Sequence, residues 1–361
     1  MATIGLDATY ALGARPTGTG TYSRRLVESL AALDTPHRFL VCYRLSRWNR
    51  RREFLRLPGC PVRLVQWPLT FWLPWQTDLF HSLVQRPPAF RFRREVVTVH
   101  DAFPITGRDY STPEFQRRFS ALLREAVARA ARVITDSEYT ATQLERHCGV
   151  ESERLSVIPC GVDEPVRTLT PEERLEERDR LVGPGNEMLL SVGNLETRKN
   201  VGNALRALAL LPERYRLVLA GGDGYGAEAI HAFIAVQALE RRIVRLGFVP
   251  AERLPALYQS ASALLFPSLE EGFGFPVLEA MANGLPVVTS NTSSLPEVGG
   301  DAALYVDPLD VAGIAAQAER AVEDQALRRE LIEKGRARAR QFTWRRAAEA
   351  VLRVYEEVLA D

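Results

Sequence analysis

The sequence predicts an α/β protein of two domains, each built on a mostly parallel sheet, and three observations carry that expectation. At 361 residues the chain exceeds one ordinary domain and suits two of about 150 to 200 residues. Its short strand-like runs are apolar throughout rather than alternating, as in strands covered on both faces by helices. The alternation of such runs with amphipathic helical stretches also starts twice, at residue 3 and again at residue 188. Between the two starts, residues 164–186 carry Pro165, Pro171, a charged stretch and Gly183-Pro-Gly-Asn, which reads as a linker.

Composition narrows the class. With 46% hydrophobic and 25% charged residues the chain has the balance of a soluble globular protein. It shows no apolar run near the ~18 residues of a membrane span. The start Met-Ala-Thr-Ile-Gly-Leu-Asp lacks a basic-then-apolar export signal, so a cytoplasmic location is expected. Cys42, Cys60, Cys148 and Cys160 form no Cys-x-x-Cys, and the five histidines show no ligand spacing. The thiols are expected to be reduced and structural, with no metal bound. A net charge of +1 hides an asymmetry: 23 basic and 15 acidic residues precede residue 161, leaving 23 and 30 after it. The two halves therefore face different partners. Lys199 and Lys334 are the only lysines among 46 basic residues.

In chain order, residues 3–8 read as a strand and 17–33 as a helix entered through Gly18 and Gly20. Strand followed by Gly-x-Gly invites a dinucleotide site. Ser23 stands where the third glycine of that fingerprint belongs, however, and no acid ends a second strand at the expected distance. Strands follow at 38–43, 62–67, 79–83 and 96–100. Two of their connections are unusual. Residues 44–56 hold Arg44, Arg47, Arg50, Arg51, Arg52 and Arg56 with Trp48 and Phe54 interleaved, and residues 66–76 hold Trp67, Phe71, Trp72 and Trp75. Cations with aromatics suit an anionic lipid surface or a lipid-linked saccharide. An arginine-rich solvated face beside a buried loop is the alternative; no nucleic-acid motif accompanies the charge.

His100-Asp101 closes the strand at 96–100 at its carboxyl end, where ligands enter open parallel sheets. A role in capping the next loop is the other reading. In the second series, residues 188–193 form a strand and Arg198-Lys199 stand at the head of a helix over 200–211. Cations there oppose the helix dipole unless an anion is present, which points to a ligand; a basic surface turn is the plainer reading. Strands at 216–222, 243–249 and 263–267 lead to the most informative stretch, residues 268–288. Gly272 and Gly274 feed a short helix at 276–283 with Pro276 at its start and Gly284 at its end, and a strand at 286–289 follows. Two small residues ahead of a helix let main-chain N–H groups converge where the dipole adds positive potential, which suits a phosphate. Glu271 and Glu279 flank this turn. Eight residues of continuous helix rise about 12 Å, so the two carboxylates would touch different parts of one elongated ligand. A solvated loop acid and a helix-surface acid remain the bland alternative. A strand at 302–307 and a mainly helical stretch from 311 to 359 complete the chain.

Glu271 to Glu279 with Gly-Phe-Gly-Phe-Pro between them resembles the Glu-x7-Glu signature of retaining, nucleotide-sugar-dependent glycosyltransferases of family 4. The Arg198-Lys199-Asn200 run, the Gly18-Thr-Gly20-Thr-Tyr22 run and the His100-Asp101 pair are similar to that family as well. The resemblance implies the GT-B fold: α/β, two Rossmann-like doubly wound domains facing a central cleft. It implies an acceptor-side domain over 1–165, a donor-binding domain over 166–341 and a last helix over 342–361 crossing back. It also implies donor-binding roles for Gly18, Gly20, Arg198, Lys199, the backbone of Phe273, Gly274 and Phe275, and Glu279, and catalytic roles for His100 and Glu271. The donor would be GDP-mannose or a UDP-glucose-like nucleotide sugar, with no cofactor or metal, and the acceptor a saccharide or lipid-linked saccharide. A nucleotide-sugar epimerase or hydrolase, or a silent donor-binding protein, are the rivals. Peripheral attachment to the inner face of an anionic membrane would go through residues 44–56 and 67–75.

Overall fold

The structure is a computed structural model and describes residues 1–13, 17–106, 109–237 and 239–360. The chain forms two compact units, Met1–Gly161 with Phe342–Asp361, and Val162–Gln341.

The first unit runs β1 (Thr3–Asp7), α1 (Gly18–Ala31), β2 (Arg38–Arg44), β3 (Val62–Val65), β4 (Leu79–Ser82), β5 (Glu95–Val99), α2 (Pro113–Arg129), β6 (Arg132–Thr135), α3 (Glu138–Cys148) and β7 (Leu155–Val157). Its strands form a sheet in the order β3-β2-β1-β4-β5-β6-β7 with every pairing parallel. β1, β2, β4 and β5 are buried almost end to end, in keeping with their mostly apolar central residues. The second unit runs α4 (Pro171–Val182), β8 (Glu187–Val192), α5 (Val201–Leu210), β9 (Tyr215–Ala220), α6 (Ala227–Val236), β10 (Ile243–Gly247), α7 (Leu254–Ser260), β11 (Ala263–Phe266), α8 (Phe275–Ala282), β12 (Val287–Ser290), α9 (Leu295–Gly299), β13 (Leu304–Val306), α10 (Val311–Glu323) and α11 (Gln325–Ala339). Its sheet has the order β10-β9-β8-β11-β12-β13, again all parallel. Its core joins β8, β9 and β11 to α5 and α10 through Leu189, Leu205, Leu208, Leu217, Leu265 and Ile314. Burying each such side chain stabilises the unit by roughly 1.5–3 kcal/mol.

The final helix, α12 (Trp344–Ala360), belongs to the first unit. Its Tyr355 hydroxyl lies 2.6 Å from His81 Nδ1, and His81 Nε2 lies 2.9 Å from Thr98 Oγ1, which is 3.0 Å from the Tyr22 hydroxyl. All four residues are buried, so the chain of hydrogen bonds satisfies polar groups that would otherwise be costly. Burial, and secondarily the nearby His100, depresses the His81 pKa to about 3, which keeps its ring neutral.

Several boundaries differ from the sequence reading. Gly18 and Gly20 lie inside the first turn of α1 rather than in a loop, because Thr17 caps the helix and accepts from the Gly20 N–H. The stretch 164–186 is folded rather than a bare linker. It holds α4, opened by a capping box between Thr170 and Glu173, and Gln259 binds its approach through Leu169 N at 2.7 Å and Arg167 O at 2.9 Å. The strand read over 243–249 stops at Gly247, whose φ of 63° leaves the extended region. Residues 44–56 contain a 3-10 helix, Leu45–Glu53. Phe54 is not part of an exposed aromatic array there: it is buried and stacks on Tyr43 at 3.9 Å. The aromatics of the next connection are solvent-facing, Trp67 at 56%, Phe71 at 51%, Trp72 at 43% and Trp75 at 78% exposure.

Candidate active site

In the second unit the chain leaves β8 at Gly193, passes through a 3-10 turn, Thr197–Lys199, and enters α5 at Asn200. Asn200 takes a left-handed conformation, φ 55°, and is held there by its side-chain amide, which donates to Pro267 O at 2.9 Å and Pro308 O at 2.7 Å. That anchor fixes the two residues before it. A Cβ on Gly221 would sit 1.9 Å from the Gly193 carbonyl oxygen, so the ends of β8 and β9 touch backbone to backbone. A Cβ on Gly193 would meet Lys199 Cε at 3.3 Å, which locates the lysine stem over that glycine.

Lys199 Nζ donates to Glu271 Oε1 at 2.6 Å and lies 4.9 Å from the centre of the Phe266 ring. Arg198 donates from Nη1 to Glu271 Oε2 at 2.9 Å and to the Glu270 carbonyl at 2.6 Å, and from Nη2 to Glu196 Oε1 at 3.2 Å. The two cations and Glu271 thus form one nearly buried cluster. Burial alone would raise the Glu271 pKa, but the charges of Arg198 and Lys199 and their hydrogen bonds hold it at about 2. The sequence reading had two unbalanced cations in the first turn of a helix. Instead they precede α5, and Glu196 and Glu271 balance their charge.

The glycine loop is pinned by serines. Glu271 N donates to Ser293 Oγ at 3.1 Å, and Ser294 Oγ donates to the carbonyls of Glu271 and Phe273 at 2.9 and 2.8 Å. Gly274, φ 112°, is the N-cap of α8 and has no side chain with which to cap it. Phe273 and Phe275 stand on either side of it with ring centres 5.3 Å apart. One turn into α8, Glu279 Oε2 accepts from the Tyr258 hydroxyl at 2.7 Å. Burial raises the Glu279 pKa to about 7, with the Asp163 charge adding to it and the Tyr258 hydrogen bond opposing.

Arg198, Lys199, Glu271, Phe273, Gly274, Phe275 and Glu279 are therefore gathered at the carboxyl edge of one sheet. Tyr258, Ser293, Ser294 and Glu196, which the sequence reading did not single out, position them; only Glu196, two residues from Arg198, had a local signal. Gly18, Gly20 and His100 lie in the first unit. His100 stands just past β5, buried, with Nδ1 2.6 Å from Asp136 Oδ2 and Nε2 3.0 Å from the Leu83 carbonyl. Both partners offer acceptor oxygens, an arrangement that favours the doubly protonated ring. Burial acts to lower its pKa, but the Asp136 charge and hydrogen bond, with the Leu83 carbonyl, outweigh that and raise it. Tyr22 packs edge-on against the ring at 4.6 Å.

Residues 16–164 match the family Glycosyltransferase Family 4, and residues 173–338 match Glycosyl transferases group 1. The two Rossmann-like units are thus those of a glycosyltransferase with the GT-B fold. The chain is 33% identical over 290 residues to O-antigen chain mannosyltransferase B of Escherichia coli, covering 78% of this chain and 76% of that one. It belongs to glycosyltransferase family 4. Among solved structures, a sucrose-phosphate synthase from Thermosynechococcus elongatus superposes with a TM-score of 0.82 at 23% identity, covering 100% of both chains. The Anabaena protein HepE in complex with UDP-glucose does so with a TM-score of 0.78 at 20% identity, covering 99% of this chain and 100% of that one.

Proposed function

We propose that this glycosyltransferase moves a hexose, mannose in preference, from a nucleoside-diphosphate sugar to a saccharide or lipid-linked saccharide, with retention at the anomeric carbon and without a metal ion. The preference for mannose rests on the mannosyltransferase relative. The carrying observation is the cluster of Arg198, Lys199 and Glu271 beside the start of α8.

In this reading the donor diphosphate draws the two cations from Glu271, and the main-chain N–H groups around Phe273, Gly274 and Phe275 add donors at the positive end of the helix. The acceptor hydroxyl attacks the anomeric carbon on the face from which the diphosphate departs. The carbon–oxygen bond to the donor breaks with its electron pair going to the diphosphate, whose oxygen takes the acceptor's proton. Arg198 and Lys199 stabilise the charge on the leaving group, the part a metal plays in other transferases. Glu271, once released, orients the sugar, and Glu279 accepts from the ribose hydroxyls. His100 supplies positive charge at the end of β5, and the start of α1 offers the Gly18 amide to the donor, with Gly20 leaving room beside it. Peripheral contact with an anionic membrane on the cytoplasmic side belongs to the same reading, supported by the exposed Trp72 and Trp75 and the exposed Arg50, Arg51 and Arg52. Among the described residues no helix is long and apolar enough to cross a membrane.

The test is a donor panel with excess chelator. Transfer from GDP-mannose to a mannose-containing acceptor, with an α-linked product by proton NMR, is the expected result. An inverted product, or donor consumed with no glycoside formed, overturns it.

A further inference from the structure

β2 and β3 are neighbours in register, Arg44 opposite Val65, so the two connections singled out in the sequence leave the sheet side by side. Where they part, Arg44, Ser46, Val65, Gln66, Trp67, Pro88, Ala89 and Phe90 enclose a cavity of about 140 Å³. That is several times a water's share of liquid, ~30 Å³, and below the roughly 300 Å³ at which pockets for drug-sized ligands begin. It suits one small ring and not a nucleotide.

From its residues the geometry points to a subsite for one neutral pyranose ring of the acceptor. This rests on the glycosyl-transfer reading and locates within it the group that receives sugar. Two walls are aromatic, Trp67 and Phe90, with ring centres 6.3 Å apart and tilted 49°. The C–H face of a pyranose is apolar and its rim is hydroxylated, so it fits an aromatic wall with donors at the edge. Arg44 supplies that edge. Its guanidinium is fixed by Asp7, whose Oδ2 accepts from Nη2 at 3.1 Å, and by the Arg86 carbonyl, while Nε is buried with no hydrogen-bond partner. Arg44 lines the cavity with a guanidinium that is already held in place, so a ligand hydroxyl there meets a fixed group.

Charge separates a sugar from a phosphate here. Asp7 is 1% exposed and pairs with Arg44, so the cation nearest the cavity is already neutralised. The arginines of the neighbouring 3-10 helix lie outside the cavity wall. The cation that lines the cavity is thus held by a buried carboxylate, which favours hydroxyls over an anion.

The test uses the full chain, with methyl α-mannopyranoside and α-mannobiose as probes and inorganic phosphate as the anionic competitor. Saturation-transfer NMR is expected to show millimolar binding of both sugars, lost in Trp67→Ala, partly restored in Trp67→Phe and indifferent to 10 mM phosphate. In turnover, Trp67→Ala is expected to raise the KM for a mannose-containing acceptor about tenfold while the nucleotide Kd stays within twofold. No sugar binding to the wild type, sugar binding untouched by Trp67→Ala, or displacement by phosphate each overturns the subsite. The binding arm reads the cavity even if no donor is turned over, so failure of the subsite and failure of the glycosyl-transfer reading are told apart.

Discussion

Lys199 and Glu271, 72 residues apart in sequence, meet through a 2.6 Å hydrogen bond between Nζ and Oε1. Each is a ready substitute for the other's substrate contact: the carboxylate for a phosphate, the ammonium for a cationic transition state. The site is therefore charge-balanced, and in the proposed reaction binding donor means exchanging partners. Lys199→Ala is expected to cut kcat by about 10²- to 10³-fold, the scale of losing one preorganised charge donor, with the thermal unfolding midpoint nearly unchanged because Arg198 still pairs Glu271. Turnover within threefold of the wild type would remove Lys199 from the leaving-group role.

The same pair sets an acid sensitivity. Glu271 has a folded pKa of about 2, below the unfolded value of about 4.3. Its contribution is therefore present above pH 4.3 and lost as pH falls through 2. Glu271→Gln is expected to be less stable than the wild type at pH 7 by on the order of 3 kcal/mol, with the gap closing toward pH 2. Urea unfolding of both proteins from pH 7 downward reads this directly.

Glu279 has the opposite sign. Its folded pKa of about 7 lies above the unfolded value, so its contribution is complete at low pH and lost as pH rises through 7. Glu279→Gln is expected to be more stable than the wild type at pH 8, to match it near pH 4, and to bind nucleotide about tenfold more weakly at pH 8. Nucleotide affinity of the wild type should rise between pH 6 and 8, since a carboxylate accepts from ribose hydroxyls better than an acid. Tyr258→Phe removes the hydrogen bond that lowers this pKa and should move the midpoint upward by about one unit. Calorimetric titration across pH checks all three.

Around His100 the expectation is spectroscopic. Asp136→Asn removes the charge that raises the imidazole pKa but leaves the ring buried, so the value should fall below the ordinary ~6.5. Histidine C–H shifts followed by NMR from pH 5 to 9 would show a raised midpoint in the wild type and a lowered one in the variant. Stability contributed by the pair in the wild type is present below about pH 6.5 and lost as pH rises through the raised folded value.

Two adjacent glycines give a paired packing test. Gly221→Ala would drive a Cβ to 1.9 Å from the Gly193 carbonyl oxygen, whereas at Gly222 the nearest atom is 3.9 Å away. The first is expected to destabilise by about 3 kcal/mol or more and to displace the turn carrying Arg198 and Lys199. The second should stay within about 0.5 kcal/mol. Equal unfolding midpoints would mean that the two strand ends do not touch.

Much of this was legible in the sequence because it is written in short-range pattern. The apolar runs ending in β1, β8 and β11, the proline in the first turn of α8 and the two acids flanking Gly272 and Gly274 are each readable within a dozen residues. What was not legible is what the sheets bring together. Nothing near Glu271 announces Ser293, and nothing near His100 announces Asp136, 36 residues on. Glu279 gave no sign of Tyr258, since a tyrosine 21 residues earlier in an apolar helix looks like core packing until the fold places its hydroxyl. The arginine-rich stretch misled in detail for a related reason: composition shows how many cations it carries, but not that Arg44 is already spent on a buried aspartate.

The hydrogen bond from Tyr355 to His81 has a consequence for synthesis. The centre of the first unit is sealed by a hydroxyl that leaves the ribosome only after every residue of the second, so while some 180 intervening residues are made that interior holds an imidazole with one nitrogen still unanswered. The nascent first unit is thus a docking site awaiting its own terminus, and deleting the last helix should yield a chain that stays in that unfinished condition.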